Sequence, residues 1–164
     1  MKKIITIAAL ILSVVFTASA VDITKVAKVK PTDEMFMDMA VTAANKSVAS
    51  NNAPTGAVII LNGAWKATGI PETGKTAEQV AVEKSRLSSL RNATIFTVAE
   101  PTTEVINMLN SKGVDAIYFA IPRAKVIEKK VYPAEAYNDE EIDTDVKQAP
   151  LMQITFAEAE ALYK

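Results

Sequence analysis

The chain contains no cysteine and no histidine, and these two absences exclude several classes of chemistry. Without Cys it has no disulfide, no thiolate nucleophile, no iron–sulfur cluster and no lipid-modified cysteine. Without His it has no Ser-His-Asp triad, no haem His and no zinc site of the usual His/Cys kind. We therefore predict no resident metal and no cofactor.

An excess of charge of either sign is also missing. The 164 residues include 18 Lys and Arg and 19 Asp and Glu, for a formal net charge of −1. Such a balance gives no electrostatic footprint for a nucleic acid, so we predict no nucleic-acid partner. Hydrophobic residues make up 49% of the chain and charged residues 23%, which is typical of a globular protein.

The beginning of the chain has the pattern of a secretory signal peptide. Lys2 and Lys3 precede an apolar run over residues 4–16, and Ala18-Ser19-Ala20 supplies small residues for cleavage. The run is shorter than the ~20 residues that a bilayer-spanning helix needs. We predict a bacterial signal peptide over residues 1–20, a periplasmic or secreted protein, and no membrane attachment after cleavage.

The pattern after residue 20 predicts a short lead-in over residues 21–32 and one domain over residues 33–164. Helices are expected from a Thr32 cap, over 76–90, over 102–112 and over 156–164; strands are expected over 56–61, 64–68, 93–98, 115–120 and 151–154. Helices that alternate with strands in this order favour an α/β fold. We predict three α-β-α layers around a mixed five-stranded sheet.

Short motifs along this domain occur in a recognisable order. They are Pro54-Thr55-Gly56-Ala57 before an Asn62-Gly63 turn, Thr76-Ala77, Asn92-Ala93-Thr94 leading to Glu100-Pro101, Gly113-Val114-Asp115, and Asn138-Asp139-Glu140-Glu141. Together they resemble the cytidine deaminase-like superfamily, most closely bacterial guanine deaminases and tRNA adenosine deaminases. The resemblance covers about residues 33–164.

The resemblance also implies a zinc site that this chain cannot form. In zinc deaminases a His and two Cys hold the metal, and a Glu transfers the proton. Aligned on Thr76-Ala77, Glu78 takes the place of the His and Val80 that of the Glu. Aligned on Glu100-Pro101, Thr102 and Val105 take the places of the two Cys.

We therefore predict no catalytic residues and a vestigial pocket in place of the active site. It comprises Glu78, Val80, Glu100, Pro101, Thr102 and Val105. We expect these residues to converge at the N-terminal ends of two helices, with Val80 and Val105 buried and in contact. An apolar floor of this kind can support a flat heterocycle or close the cavity.

Residues 69–76 match the Walker A pattern, with Gly69, Gly74, Lys75 and Thr76 at its fixed positions. A P-loop follows a parallel strand, and its backbone N–H groups and Lys hold phosphates. Here the preceding strand follows an Asn-Gly turn and is predicted to be antiparallel. This favours a glycine-rich connector, with nucleotide binding as the alternative.

Other polar and aromatic residues also have two interpretations. Glu78, Glu83, Glu100 and Glu104 could hold a hard cation or act as acid and base. We predict instead that these carboxylates are solvated and complement helix dipoles. Tyr132 and Tyr137 are assigned to packing.

Three functions remain open. The first is a non-catalytic module that binds a small, purine-like ligand. The second is a protein-interaction module, for which a homodimer is one form. The third is an enzyme with rebuilt non-zinc chemistry or a nucleotide-binding protein that uses the Walker-like loop.

Overall fold

The computed structural model describes residues 24–26 and 30–164, so the predicted signal peptide lies outside the described residues. In chain order the elements are β1 (Thr24–Val26), α1 (Pro31–Ala49), β2 (Ala57–Leu61), β3 (Ala64–Gly69), α2 (Ala77–Ser85), β4 (Ala93–Ala99), α3 (Thr103–Ser111), β5 (Ala116–Ile121), α4 (Arg123–Glu128), two 3-10 turns (Ala134–Ala136 and Asp139–Glu141), β6 (Leu151–Gln153) and α5 (Ala157–Ala161). Within this described part, none of the helices combines the length and the hydropathy needed to cross a bilayer.

The strands form one mixed sheet in the order β1-β6-β5-β4-β2-β3. Strand β2 is antiparallel to β3 and β4, whereas β4, β5, β6 and β1 run parallel to one another. All five predicted strands are present, and β1 adds a sixth at the edge. The predicted mixed α/β sheet is therefore confirmed.

Alternating side chains of the central strands supply two separate cores. Val58 and Ile60 of β2 join the core beneath α1, α4 and α5. Ala57 and Ile59 of the same strand join the core beneath α2 and α3. A strand that is buried on both faces needs helices on both sides, which produces the three predicted layers.

Several boundaries differ from the predicted ones. Residues 24–26 of the predicted lead-in pair with β6, so the sheet begins before residue 33. Helix α1 starts at Pro31 instead of after a Thr32 cap, because proline's missing N–H and fixed φ suit the first helical position. Helix α2 ends at Ser85 instead of residue 90, because Arg86 adopts a left-handed conformation with φ of 56°.

The end of β3 packs directly on α2. A side chain at Gly69 would place its Cβ in overlap with the backbone carbonyl of Ala77 and 2.6 Å from the backbone nitrogen of Ala81. Helix backbone cannot move away as a flexible side chain could. Glycine at residue 69 therefore sets how closely β3 and α2 approach.

We predict that Gly69→Ala lowers the free energy of unfolding by about 3 kcal/mol or more, because overpacking against fixed backbone strains the fold. Gly74→Ala is the control, since Gly74 has a φ of +74° and nothing within 4 Å of a built Cβ. At residue 74 the strain of a left-handed backbone conformation should lower the free energy of unfolding by only about 1 kcal/mol. Urea unfolding measures both variants, and equal losses would contradict the close approach.

Candidate functional site

The N-terminal turns of α2 and α3 meet above the C-terminal part of β4. Thr76 caps α2 by accepting a hydrogen bond from the backbone N–H of Gln79, and Thr102 caps α3 by accepting one from that of Val105. The Gln79 amide then donates to Glu104 Oε1 at 3.1 Å, which joins the two turns. The predicted helix ends therefore lie side by side.

Glu78 is buried at this meeting point, with 1% of its surface exposed. It lies in the first turn of α2, and its Oε1 accepts a hydrogen bond from the Thr97 hydroxyl of β4 at 2.5 Å. Its Oε2 is also buried and has no hydrogen-bond partner. The prediction of a solvated carboxylate is wrong for Glu78, because this side of α2 packs onto the sheet.

The environment of Glu78 disfavours its charged form. Burial raises the pKa of the Glu78 carboxyl. The hydrogen bond from Thr97 and the nearby Glu78 backbone N–H and Thr76 side chain lower it only in part. Within residues 24–26 and 30–164, no Lys or Arg forms an ion pair with it. The free-energy cost of burying the ionised Glu78 carboxylate is therefore not offset by an ion pair.

Three further buried polar atoms without partners occur in the same part of the fold: Thr55 Oγ1, Tyr132 Oη and Tyr163 Oη. We call Thr55, Glu78, Tyr132 and Tyr163 the inner polar cluster. The charge of Glu78 contributes to the raised pKa of both tyrosines, so their phenols lie within its electrostatic reach. The Thr55 hydroxyl lies near enough to lower the pKa of Tyr132, yet neither hydroxyl makes a hydrogen bond of acceptable geometry.

Glu100, at the end of β4, differs from Glu78 because it is fully paired. The Arg123 side chain donates from Nε to Glu100 Oε1 at 2.6 Å, and the Arg123 backbone N–H donates to Oε2 at 2.7 Å. Arg123 also binds both carboxylate oxygens of Asp139 and lies 5.5 Å from the ring centre of Tyr137. The prediction of a solvated carboxylate is therefore wrong for Glu100 as well.

This ion pair holds the segment after α4 against the site. The Tyr137 hydroxyl donates to the backbone carbonyl of Glu100 at 2.8 Å. The segment that contains Tyr132 and Tyr137 is thus fastened to the end of β4 through Arg123 and Asp139. It carries Tyr132 and Tyr137, and the charge of Glu78 contributes to the raised pKa of both phenols.

The other members of the predicted vestigial pocket are also buried. Val80, Pro101, Thr102 and Val105 are all inaccessible or nearly so. Val105 belongs to the core beneath α2 and α3, whereas Val80 is in neither core cluster. Contact between Val80 and Val105 therefore stays a prediction.

The other two acidic residues of the sequence analysis are exposed. Glu83 pairs with Lys75 at 2.8 Å, and Glu104 binds the Gln79 amide. Across residues 24–26 and 30–164, no three Asp, Glu, His or Cys side chains are grouped as a metal-ligand set.

The Walker-like loop has a different geometry from a P-loop. It follows β3, which is antiparallel and lies at the edge of the sheet. The backbone N–H groups of Glu72 and Lys75 donate to each other's carbonyls in a tight turn, so they are not directed at a phosphate. Gly69 serves close packing, Gly74 provides the positive φ of the turn, and Lys75 pairs with Glu83. Thr76 is a helix cap.

An open pocket lies outside the inner polar cluster. It has a volume of about 280 Å³ and is lined by Ala53, Pro71, Glu72, Gly74, Lys75, Thr76, Gln79, Glu104 and Tyr132. We call it the outer pocket. Tyr132 belongs to both features, since it lines the outer pocket while its hydroxyl is buried.

Sequence reasoning found Glu78 but missed most of its neighbours. Thr55 and Thr97 carry no pattern that separates them from other strand-end threonines. Tyr132 and Tyr163 lie 54 and 85 positions beyond Glu78, and only the fold brings them near it. A signal for Tyr132 and Tyr137 existed in principle, because polar aromatics flank an acidic segment there.

No protein-family model and no curated protein matches the chain. Solved structures do match its fold. A guanine deaminase from Bacillus subtilis has a TM-score of 0.60 and 23% identity, over 78% of this chain and 88% of that one. A structure from a study of tRNA:A34 deaminases has a TM-score of 0.57 and 18% identity, over 73% and 97%.

A third similar structure is a dCMP deaminase from the cyanophage S-TIM5. Its TM-score is 0.53 and its identity 19%, over 77% of this chain and 100% of that one. At these identities the three likenesses show the fold alone. The predicted cytidine deaminase-like α/β fold is thereby confirmed.

We predict that Glu78→Gln changes stability in a pH-dependent way. Since burial raises the pKa of folded Glu78, its contribution to stability is full below the unfolded pKa of about 4.3 and is lost as pH rises through the folded value. Gln does not titrate, so the variant should gain stability relative to wild type between pH 5 and pH 8. Each unit by which the pKa is raised corresponds to about 1.4 kcal/mol.

Urea unfolding at several pH values measures this difference. Glu128→Gln is the matched control, because Glu128 is exposed on α4, and its difference from wild type should stay flat. A flat difference for Glu78→Gln too would mean that folded Glu78 has an ordinary pKa, which would contradict its burial.

Proposed function

We propose that the chain is an exported, catalytically degenerate deaminase-like protein that binds a small ligand without deaminating it. The observation that carries the proposal is Glu78. A buried carboxyl with one unpartnered oxygen stands where the resemblance implies a zinc-binding His. An unpartnered buried polar group costs roughly 1–3 kcal/mol, and a ligand that pairs with it offsets that cost.

The loss of catalysis is supported by the sequence. A chain without Cys and His has no His/Cys ligand set for zinc. Val80, at the position of the proton-transferring Glu, has a hydrocarbon side chain that cannot transfer a proton. Rebuilt carboxylate chemistry is not favoured either, because Glu100, the other buried carboxylate of the site, is occupied by Arg123.

Purine-like compounds are the first ligands to test. The sequence motifs resemble those of guanine deaminases, and a guanine deaminase is among the structures with the same fold. The outer pocket, at about 280 Å³, opens beside the N-terminal turns of α2 and α3. Its volume is close to the lower end of the range of small-ligand pockets, which is roughly 300–1,000 Å³.

A protein-interaction role is the second candidate, with a homodimer as its simplest form. It is favoured by β3, whose outer edge is unpaired in the described sheet and carries a half-exposed Trp65. Exposed sheet edges are templates for pairing with a further chain. Light scattering on wild type and Trp65→Ala tests it: a dimer in wild type that the substitution dissolves supports this role.

We predict that the purified chain over residues 21–164 holds no stoichiometric zinc and releases no ammonia from guanine, adenosine or cytidine. Elemental analysis and an ammonia assay measure these outcomes. In a thermal-shift screen of nucleobases, nucleosides and nucleotides, a true ligand at a hundredfold excess over Kd adds about 2.7 kcal/mol of stability.

Two results would contradict the proposal. One equivalent of zinc that is lost on Glu78→Ala would restore a metal site. A screen in which no compound stabilises the protein would remove the small-ligand role and favour the interaction role. The Walker-like loop has its own control: stabilisation by ATP with Mg²⁺ that Lys75→Ala abolishes would establish a nucleotide site there.

A further inference from the structure

The inner polar cluster contains one carboxyl and no cation. Thr55 and the two tyrosines are neutral, since burial raises the pKa of Tyr132 and Tyr163. Hydroxyl groups can both donate and accept, but none donates to Glu78 Oε2 in the structure. In the ionised form of Glu78, Oε2 only accepts hydrogen bonds, so the partner that completes it is a donor. A charged donor would also favour ionisation, against the effect of burial.

A second buried carboxylate in this fold, Glu100, has charged and hydrogen-bonding partners for both of its oxygens. Glu100, 3% exposed, is met by Arg123 with two hydrogen bonds of 2.6 and 2.7 Å. That carboxylate receives both a positive charge and paired N–H donors from within the chain. Glu78, equally buried, receives one neutral hydroxyl from Thr97. The comparison indicates that a guanidinium-like group is what Glu78 lacks.

The outer pocket has a charge that suits such a group. Of its charged lining residues, Lys75 is paired with Glu83 at 2.8 Å and Glu72 with Lys84 at 3.2 Å. Glu104 is bonded only to the neutral amide of Gln79 among the described contacts. The pocket therefore carries a net negative charge, which attracts cations and repels anions.

Tyr132 connects the pocket to the cluster. Tyr132 lines the outer pocket, and its hydroxyl is buried in the cluster without a partner. Because Tyr132 belongs to both features, a ligand group that reaches Glu78 from the outer pocket has to displace this side chain. Aromatic rings attract cations, and this fold already has one such contact, between Arg123 and the Tyr137 ring at 5.5 Å.

We propose that the ligand of this site carries a positively charged N–H donor group, an amidinium, guanidinium or primary ammonium, that pairs with Glu78 Oε2. This inference rests on the proposed function, because it specifies the ligand class of the same site. The cationic group occupies the inner polar cluster beside Tyr132 and Thr55. The remainder of the ligand occupies the outer pocket.

The test uses three probes of nearly equal shape and different charge: benzamidine, benzamide and benzoate. Calorimetric titration at pH 7.5 measures their affinities for the chain over residues 21–164. We expect benzamidine to bind at least tenfold more tightly than benzamide and benzoate. This comparison needs only the wild-type protein, so it holds even if a variant fails to fold.

Three variants then locate the binding. Glu78→Gln should weaken benzamidine binding at least tenfold, because it removes the charge and keeps the shape. Glu104→Gln should weaken it less than threefold, since Glu104 acts only through the field of the pocket. Glu128→Gln, exposed on α4, should leave the affinity unchanged.

Equal affinities for benzamidine and benzamide would overturn the inference, as would unchanged benzamidine binding by folded Glu78→Gln. These failures are distinct from failure of the proposed function. A neutral purine that binds wild type and Glu78→Gln with equal affinity would overturn the inference of a cationic ligand. It would leave the proposed small-ligand role intact. Failure of every compound in the wider screen would count against the small-ligand role itself.

Discussion

The buried carboxyl of Glu78 is the constraint on which the site depends. A charge removed from water needs a partner, and this one has a single neutral hydrogen bond from Thr97. Helix α2 cannot turn Glu78 outward, because β3 packs on the same helix through Gly69. The fold therefore keeps an unsatisfied acceptor in its interior, surrounded by tyrosines whose own hydroxyls include two without partners.

The two buried carboxylates of the site differ in their partners: Glu100 forms an ion pair, and Glu78 does not. Glu100 is neutralised by Arg123, which also binds Asp139 and fastens the segment with Tyr132 and Tyr137 over the site. That pair has a structural role. Glu78 has no charged partner in the described residues, so a group that neutralises it has to come from outside them. Glu100 therefore holds the site together, whereas Glu78 is the residue that we propose binds the ligand.

The sequence predicted the fold and the site's location better than its chemistry. Strand periodicity and the Asn62-Gly63 turn are local signals, and β2 and β3 follow them closely. The helices predicted from residues 76 and 102 begin one residue later, at Ala77 and Thr103, because Thr76 and Thr102 are their caps. Burial of Glu78 is not local: it follows from the packing of α2 on β4, and no pattern around residue 78 encodes the distant Tyr132. Close packing at Gly69 and the positive φ of Gly74 account for the two glycines of the Walker A pattern.

The most direct test of the account is the titration of the Glu78 carboxyl itself. Carbon-13 NMR of glutamate-labelled protein, with the resonance assigned through its absence in Glu78→Gln, reports that group alone. The account predicts a pKa above the ordinary range in the free protein and a fall towards that range when benzamidine is added, because a paired cation favours the ionised form. An ordinary pKa that benzamidine leaves unchanged would contradict it.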